Sequence, residues 1–221
     1  MTPSPQAPPL STGDAPVTRN GATGRDVSLL DAASRRFVAV GIAKTTMEDI
    51  AREAGAGKAT LYRYFPNKAA VVDALVRREN ERFTRRLTRA VTDGDGAAGK
   101  IEAAFVAALD FLRSHPMLNK SLREEPDVLL PYLTLRSGPM VETGMRIFAG
   151  VIQEGVRSGE LRPVHPEWAA ETLFRLVMSF FSLPPLAIRV DDPEQVRQYA
   201  HGLVAGTLAA RPTSPSRGRG R

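Results

Sequence analysis

Leu29, Leu30, Ala33, Phe37 and Val38 recur at three- and four-residue steps, so "DVSLLDAASRRFVAVG" (26–41) predicts an amphipathic helix that closes near Gly41. In "TMEDIAREAG", Thr46 stands three residues before Asp49, the spacing of a capping box; Ile50 and Ala54 face inward and Gly55 is a natural stop. "KATLYRYF" predicts a third, short helix with Leu61 and Phe65 on its inner side. Pro66 ends it, and Asn67 can cap a longer fourth helix that runs to Gly94.

The same period continues downstream. Ile101, Phe105, Ala108, Leu109 and Leu112 form one stripe, and Val141, Met145, Phe148 and Ile152 form another that stops at Gly159. "PEWAAETLFRLVMSFFSLPP" and "DPEQVRQYAHGLVAGTL" each open with proline in the first turn. Residues 114–135 predict one or two short helices broken by Pro116, Pro126 and Pro131. No run alternates in the manner of a strand. The expected fold is all-α.

Hydrophobic residues make up 43% of the 221 positions, enough for a buried core. Residues 1–24 and the tail 211–221 lack apolar periodicity and are expected to be disordered. Charge divides the remainder: residues 25–90 carry 14 Lys and Arg against 8 Asp and Glu, while residues 91–210 carry 11 against 15. A basic unit joined to an acidic one suggests polyanion binding coupled to another task. The absence of cysteine removes disulfides, thiolate metal sites and thiol nucleophiles, and fits a reducing cytoplasm. The apolar stretch at 176–188 is too short and proline-broken to span a bilayer, and the N-terminus lacks a signal-peptide pattern, so no membrane partner is expected.

Two short helices separated by "GAG" form a helix-turn-helix, with residues 58–65 the helix to be laid in a major groove. With Leu61 and Phe65 inward, Ala59 and Arg63 point outward, Thr60 and Tyr62 lie on the flanks, and Lys58 reaches out from the first turn. Lys and Arg suit base-edge acceptors and an alanine methyl suits thymine. Tyr and Thr hydroxyls suit phosphates, and Thr45 and Lys68, at the starts of the flanking helices, are placed to grip the backbone on either side. An enzyme is the rival class. However, His115, His165 and His201 lie far apart in no ligand pattern, and Glu124, Glu125 and Asp127 read as a solvated loop. No catalytic residue, metal or cofactor is expected. A helical interaction protein that has lost DNA binding is the other alternative.

"TTMEDIAREAGAGKATLYRYFPNKAAVV" (45–72) resembles the helix-turn-helix signature of TetR-type, tetracycline-repressor-like, transcriptional regulators. The resemblance is close over about 26–75; beyond that it rests on length, all-α character and helix order. It implies a DNA-binding domain at 25–75, with the fourth helix continuing to about 93, and a ligand-binding and dimerisation domain at 94–210. It also implies base contacts from Lys58 and Ala59, backbone contacts from Thr45, Thr60, Tyr62, Tyr64 and Lys68, and either kind from Arg63. Family members commonly carry Ser or Thr in place of Gly57, and Gly in place of Ala59. The implied partners are a double-stranded DNA operator, a second copy of the chain and a small-molecule effector. The implied dimer joins helices 166–183 and 192–209, with Val196, Tyr199, Ala200, Leu203 and Thr207 on one side and Gly202 and Gly206 permitting close approach. The implied effector pocket draws on Phe105, Leu109, Met117, Met145, Phe148, Phe174 and Met178. Few charges interrupt these stripes, so a largely apolar effector is expected. Repression is the usual family behaviour, with activation the alternative.

Overall fold

The computed structural model describes residues 24–133, 138–183 and 187–210; the basic tail and all of the expected disordered lead but Gly24, which begins the first helix, lie outside the described residues. The first four helices are α1 (Gly24–Val40), α2 (Met47–Glu53), α3 (Lys58–Tyr64) and α4 (Lys68–Asp93). Gly41 ends α1 at φ 96°, in the left-handed region that side chains rarely tolerate. The capping box is present: Thr46 Oγ1 accepts from Asp49 N at 3.1 Å, while Asp49 Oδ2 accepts from Thr46 N at 3.1 Å. Gly55 reverses the chain at φ 60°. Asn67 Oδ1 accepts from Ala70 N at 2.9 Å and opens α4.

These helices enclose a first core of Leu29, Phe37, Ile50, Leu61, Val71 and Leu75 among others. The 26 residues of α4 outrun that core. Its far half, through Phe83 and Leu87, enters a second one. One continuous helix is thus embedded at both ends.

At the centre of the second core is α5 (Gly96–Ser114), whose Ile101, Phe105, Ala108, Leu109 and Leu112 are at most 1% exposed. It packs against α4, α6 (Pro116–Glu124), α8 (Gly138–Ser158), α9 (Pro166–Ser182) and α10 (Pro193–Thr207). Pro116 and Pro126 do not break helices but open α6 and α7 (Pro126–Leu133), since an N1 residue needs no hydrogen-bonded amide; Pro131 lies inside α7. Gly155 lets α8 come close to α5, because a Cβ there would sit 2.5 Å from that of Ala97. Among the described residues the only β pairing is an isolated bridge between Leu161 and Ala209, and no helix is long and apolar enough to cross a membrane.

Candidate nucleic-acid interface

Seven residues make up α3, and Leu61 is its one buried side chain. A helix this short does not stand alone. It is pinned to α2 by Leu61, and by Phe65 just beyond its end, packed with Ile50 and Ala51. Much of the rest of its surface is open. Lys58, Ala59, Tyr62 and Arg63 are exposed, and Thr60 and Tyr64 are half-buried. The outer face of α3 that the sequence assigns to DNA is therefore open, and among the described residues no other part of the subunit covers it.

Local contacts pre-arrange this face. Lys58 Nζ lies 2.7 Å from Glu48 Oε1 on α2. The hydrogen bond from Lys58 holds the exposed Glu48 carboxyl below its ordinary value. The guanidinium of Arg63 lies 5.3 Å from the ring centroid of Tyr64, which steers it along the helix. Gly57 has the extended backbone of an N-cap, φ −70°, but has no side chain to close the cap.

Thr45 departs from expectation. Its side chain is 1% exposed and its hydroxyl donates to the Gly41 carbonyl at 2.6 Å, so it closes the α1–α2 turn and does not face a phosphate. Lys68 is half-buried, and its ammonium donates to the carbonyls of Ile42 (2.8 Å) and Ala43 (2.9 Å). An ammonium has three donors, so one is left for a phosphate. Glu125, read in the sequence as part of a solvated loop, is half-buried and accepts from the amides of Ile42 and Ala43. The sequence analysis missed it because only the fold brings the two segments together.

Four of the seven expected effector residues, Phe105, Leu109, Phe148 and Met178, meet at the second core. Phe105 and Phe148 are sealed in the second core, with Met178 packed partly buried against it. Phe174 lies over Gly144, Met145 is half-buried, and Met117 belongs to the first core. Of the seven, Leu109 alone lines a cleft of about 850 Å³ between α4, α5 and α10. Ala103, Val106, Ala107, Val190 and Val196 add apolar wall. At its edge Arg86 pairs with Asp110 and Arg197 with Glu194 at 2.8 Å, His201 lies 3.1 Å from Glu102, and Arg113 also lines the wall. Among the described residues no cluster of His, Asp and Glu could hold a metal ion.

The expected dimer stripe also divides. Val196 and Ala200, 4% and 0% exposed, face inward with Val204, and α10 packs on α5. Tyr199 and Leu203 are half-buried and Thr207 is exposed. The outer side of α10 carries Gly202 and Gly206, with nothing within 4 Å of where their side chains would begin. Trp168 on α9 and Leu183 just beyond its end are 71% and 62% exposed. The sequence analysis passed over both, although large apolar residues left outside are the usual mark of a contact surface.

An open recognition helix braced by its partner places the chain among helix-turn-helix DNA-binding proteins. The family model "Bacterial regulatory proteins, tetR family" matches residues 29–75, and "Bacterial Tetracyclin repressor, C-terminal domain" matches residues 96–202. The chain belongs to the TetR family of transcriptional regulators, which bind DNA and are not enzymes. It is 24% identical over 151 residues to YhgD, an HTH-type transcriptional regulator of Bacillus subtilis, covering 68% of this chain and 79% of that one. A solved transcriptional regulator from Cytophaga hutchinsonii, 22% identical, has a TM-score of 0.65 over 85% of this chain and 100% of its own. AibR, solved with isovaleryl coenzyme A and operator DNA, is 19% identical, with a TM-score of 0.58 over 81% of this chain and 97% of its own. At these identities the likeness to the two solved structures is one of fold.

Proposed function

We propose that two copies of this chain hold a two-fold-related operator as a repressor, and release it when a small, largely apolar molecule binds. The open outer face of α3 carries this reading. Lys58 and Ala59 approach bases, Arg63 reaches bases or phosphates, and Thr60, Tyr62, Tyr64 and Lys68 hold the backbone. Residues 25–75, with α4 continuing to 93, form the DNA-binding unit, and residues 94–210 bind effector and partner. The protein works in the cytoplasm, where its operator is.

The second copy meets the outer sides of α9 and α10, where Trp168, Leu183 and the two open glycines lie. Dimerisation sets the two recognition helices one helical turn of DNA apart. The effector enters the α4–α5–α10 cleft. Two ion pairs at its edge are internal, Arg86 with Asp110 and Arg197 with Glu194, which leaves the apolar wall as the main attraction for a ligand. Because α10 has the cleft on one side and the partner on another, a molecule lodged there shifts the geometry of the dimer.

Duplexes selected by the protein from a random pool should show two related half-sites. Lys58→Ala should then relax preference at one or two base pairs of each half-site by about 1–3 kcal/mol. Unchanged affinity and base preference in that variant would remove Lys58 from the groove. For the cleft, Ala107→Trp should leave operator affinity intact and weaken, by tenfold or more (a loss of roughly 1.4 kcal/mol), the response to a compound found by screening wild-type protein for release. A wild-type response would place the effector elsewhere.

A further inference from the structure

Ile42 and Ala43 connect α1 to α2, and this dipeptide is gripped from two sides. Its amides donate to one carboxylate, Ile42 N to Glu125 Oε2 at 2.6 Å and Ala43 N to Glu125 Oε1 at 2.9 Å. Its carbonyls accept from one ammonium, that of Lys68, at 2.8 and 2.9 Å. Lys68 is the first residue of α4, and Glu125 sits at the joint between α6 and α7. Gly41, the residue before, makes room for the carboxylate: a Cβ there would begin 2.6 Å from Glu125 Oε1.

The helix leading to Glu125 is itself anchored in both cores. Met117 is buried in the first, while Leu118 and Leu122 pack against the second. The start of α6 is tied to the end of α5 by Asn119, whose Nδ2 donates to the carbonyls of Leu112 (3.2 Å), Arg113 (2.6 Å) and His115 (2.9 Å). Arg113 lines the cleft. A contiguous chain of packed and hydrogen-bonded groups thus runs from the cleft through α6 to the loop that feeds the helix-turn-helix.

We propose that Glu125 is a positioning residue for operator binding: its carboxylate fixes the angle of the helix-turn-helix against the effector domain, and so the spacing of half-sites the dimer accepts. The inference rests on the dimeric-repressor reading above. Hydrogen bonds to a charged group are stronger than neutral ones, and a carboxylate accepting two neighbouring amides fixes direction as well as distance. Lys68 hydrogen-bonds the loop to α4, and Ile42 packs into the core that α4 helps form. Glu125 makes it follow α6 as well.

The test uses the full chain, operator duplexes selected by wild-type protein, random-sequence duplex, and operators with one base pair added or removed between half-sites. E125A removes both bonds; E125Q keeps the shape but turns one acceptor into a donor that faces an amide. Both should bind random duplex as wild type does, bind the selected operator about tenfold more weakly, and lose most of the preference for native spacing. A loss of stability alone moves affinity without moving spacing preference. Native spacing preference in E125A and E125Q overturns the proposal whatever the affinity, and if E125A does not melt cooperatively, E125Q decides alone. Failure of wild-type protein to select any two-half-site duplex would defeat the repressor reading itself, an outcome distinct from both.

Discussion

Leu61→Ala should cost about 3 kcal/mol of stability in the first core and roughly a hundredfold in operator affinity. Leu61 is 0% exposed and is the one buried residue of a seven-residue helix. Truncation leaves a cavity among Ile50, Ala51 and Val71, and removes the anchor that holds α3 in its binding pose. A free α3 of that length is not helical in water, so the DNA-contacting groups lose their common frame. The second core shares no buried residue with the first, so urea melting followed by probes in each should show the loss confined to the N-terminal unit. A stability loss below about 1 kcal/mol, or undiminished operator binding, would mean that α3 is held by something other than Leu61.

Glu79→Ala should be comparably damaging, at about 3 kcal/mol. Glu79 lies on α4 between the two cores, its side chain 11% exposed. Its carboxylate meets His115 Nε2 at 3.1 Å, Arg82 Nη1 at 3.1 Å and Arg78 Nε at 3.3 Å. His115 Nδ1 accepts from Leu118 N at 3.3 Å to cap α6, so Nε2 carries the proton and donates to Glu79. Burial pushes the Glu79 carboxyl up, but the bond from His115 and the charges of Arg82 and Arg78 together hold it below 4.5. A carboxyl held low in the folded state adds stability that is fully present above the unfolded value of 4.5 and is lost as pH falls through the folded value. The stability gap between wild type and Glu79→Gln should therefore be full at neutral pH and shrink on acidification below about 4.5. The nearby partners His115, Arg78, Arg82 and Asp31, which pairs with Arg78, stay in both proteins, so the comparison isolates the Glu79 carboxylate and its pairing with them. A gap that widens in acid would reverse the sign of the contribution.

Both predictions concern side chains whose roles were unequally visible in the sequence. Leu61 was legible because a three- and four-residue apolar period says which way a helix faces. The same period gave the outward positions of Lys58, Ala59, Tyr62 and Arg63. Gly41, Gly55 and Gly159 were legible as stops, and each has positive φ. Glu79 was not legible. It sits among alternating charges on α4, and nothing local distinguishes it from its solvated neighbours.

Other departures differ in reach: the partner of Thr45 is Gly41, four residues back, whereas the rest depend on distant segments. Thr45 looked like a surface hydroxyl at a helix entrance, but the α1–α2 turn folds it under. Met117 looked like pocket lining, but α6 crosses to the first core. Val196 and Ala200 looked like a dimer seam because they form an apolar stripe; α5 claims that stripe within the subunit. A stripe shows that something will cover a helix face, not which element will.

What the sequence determined by itself was most of what neighbours within about five positions set: which segments are helices, where most of them start and stop, and which side of the short third helix stays clear. These follow from backbone geometry and local capping, whose partners are always at hand. Only the tertiary structure decided which stripe meets which and where a cleft remains. It alone brought the carboxylate of Glu125 onto the Ile42 amide, 83 residues away in the chain. Apolar burial is non-directional, so many pairings of greasy faces satisfy one pattern, and only the packing of all the helices at once selects among them.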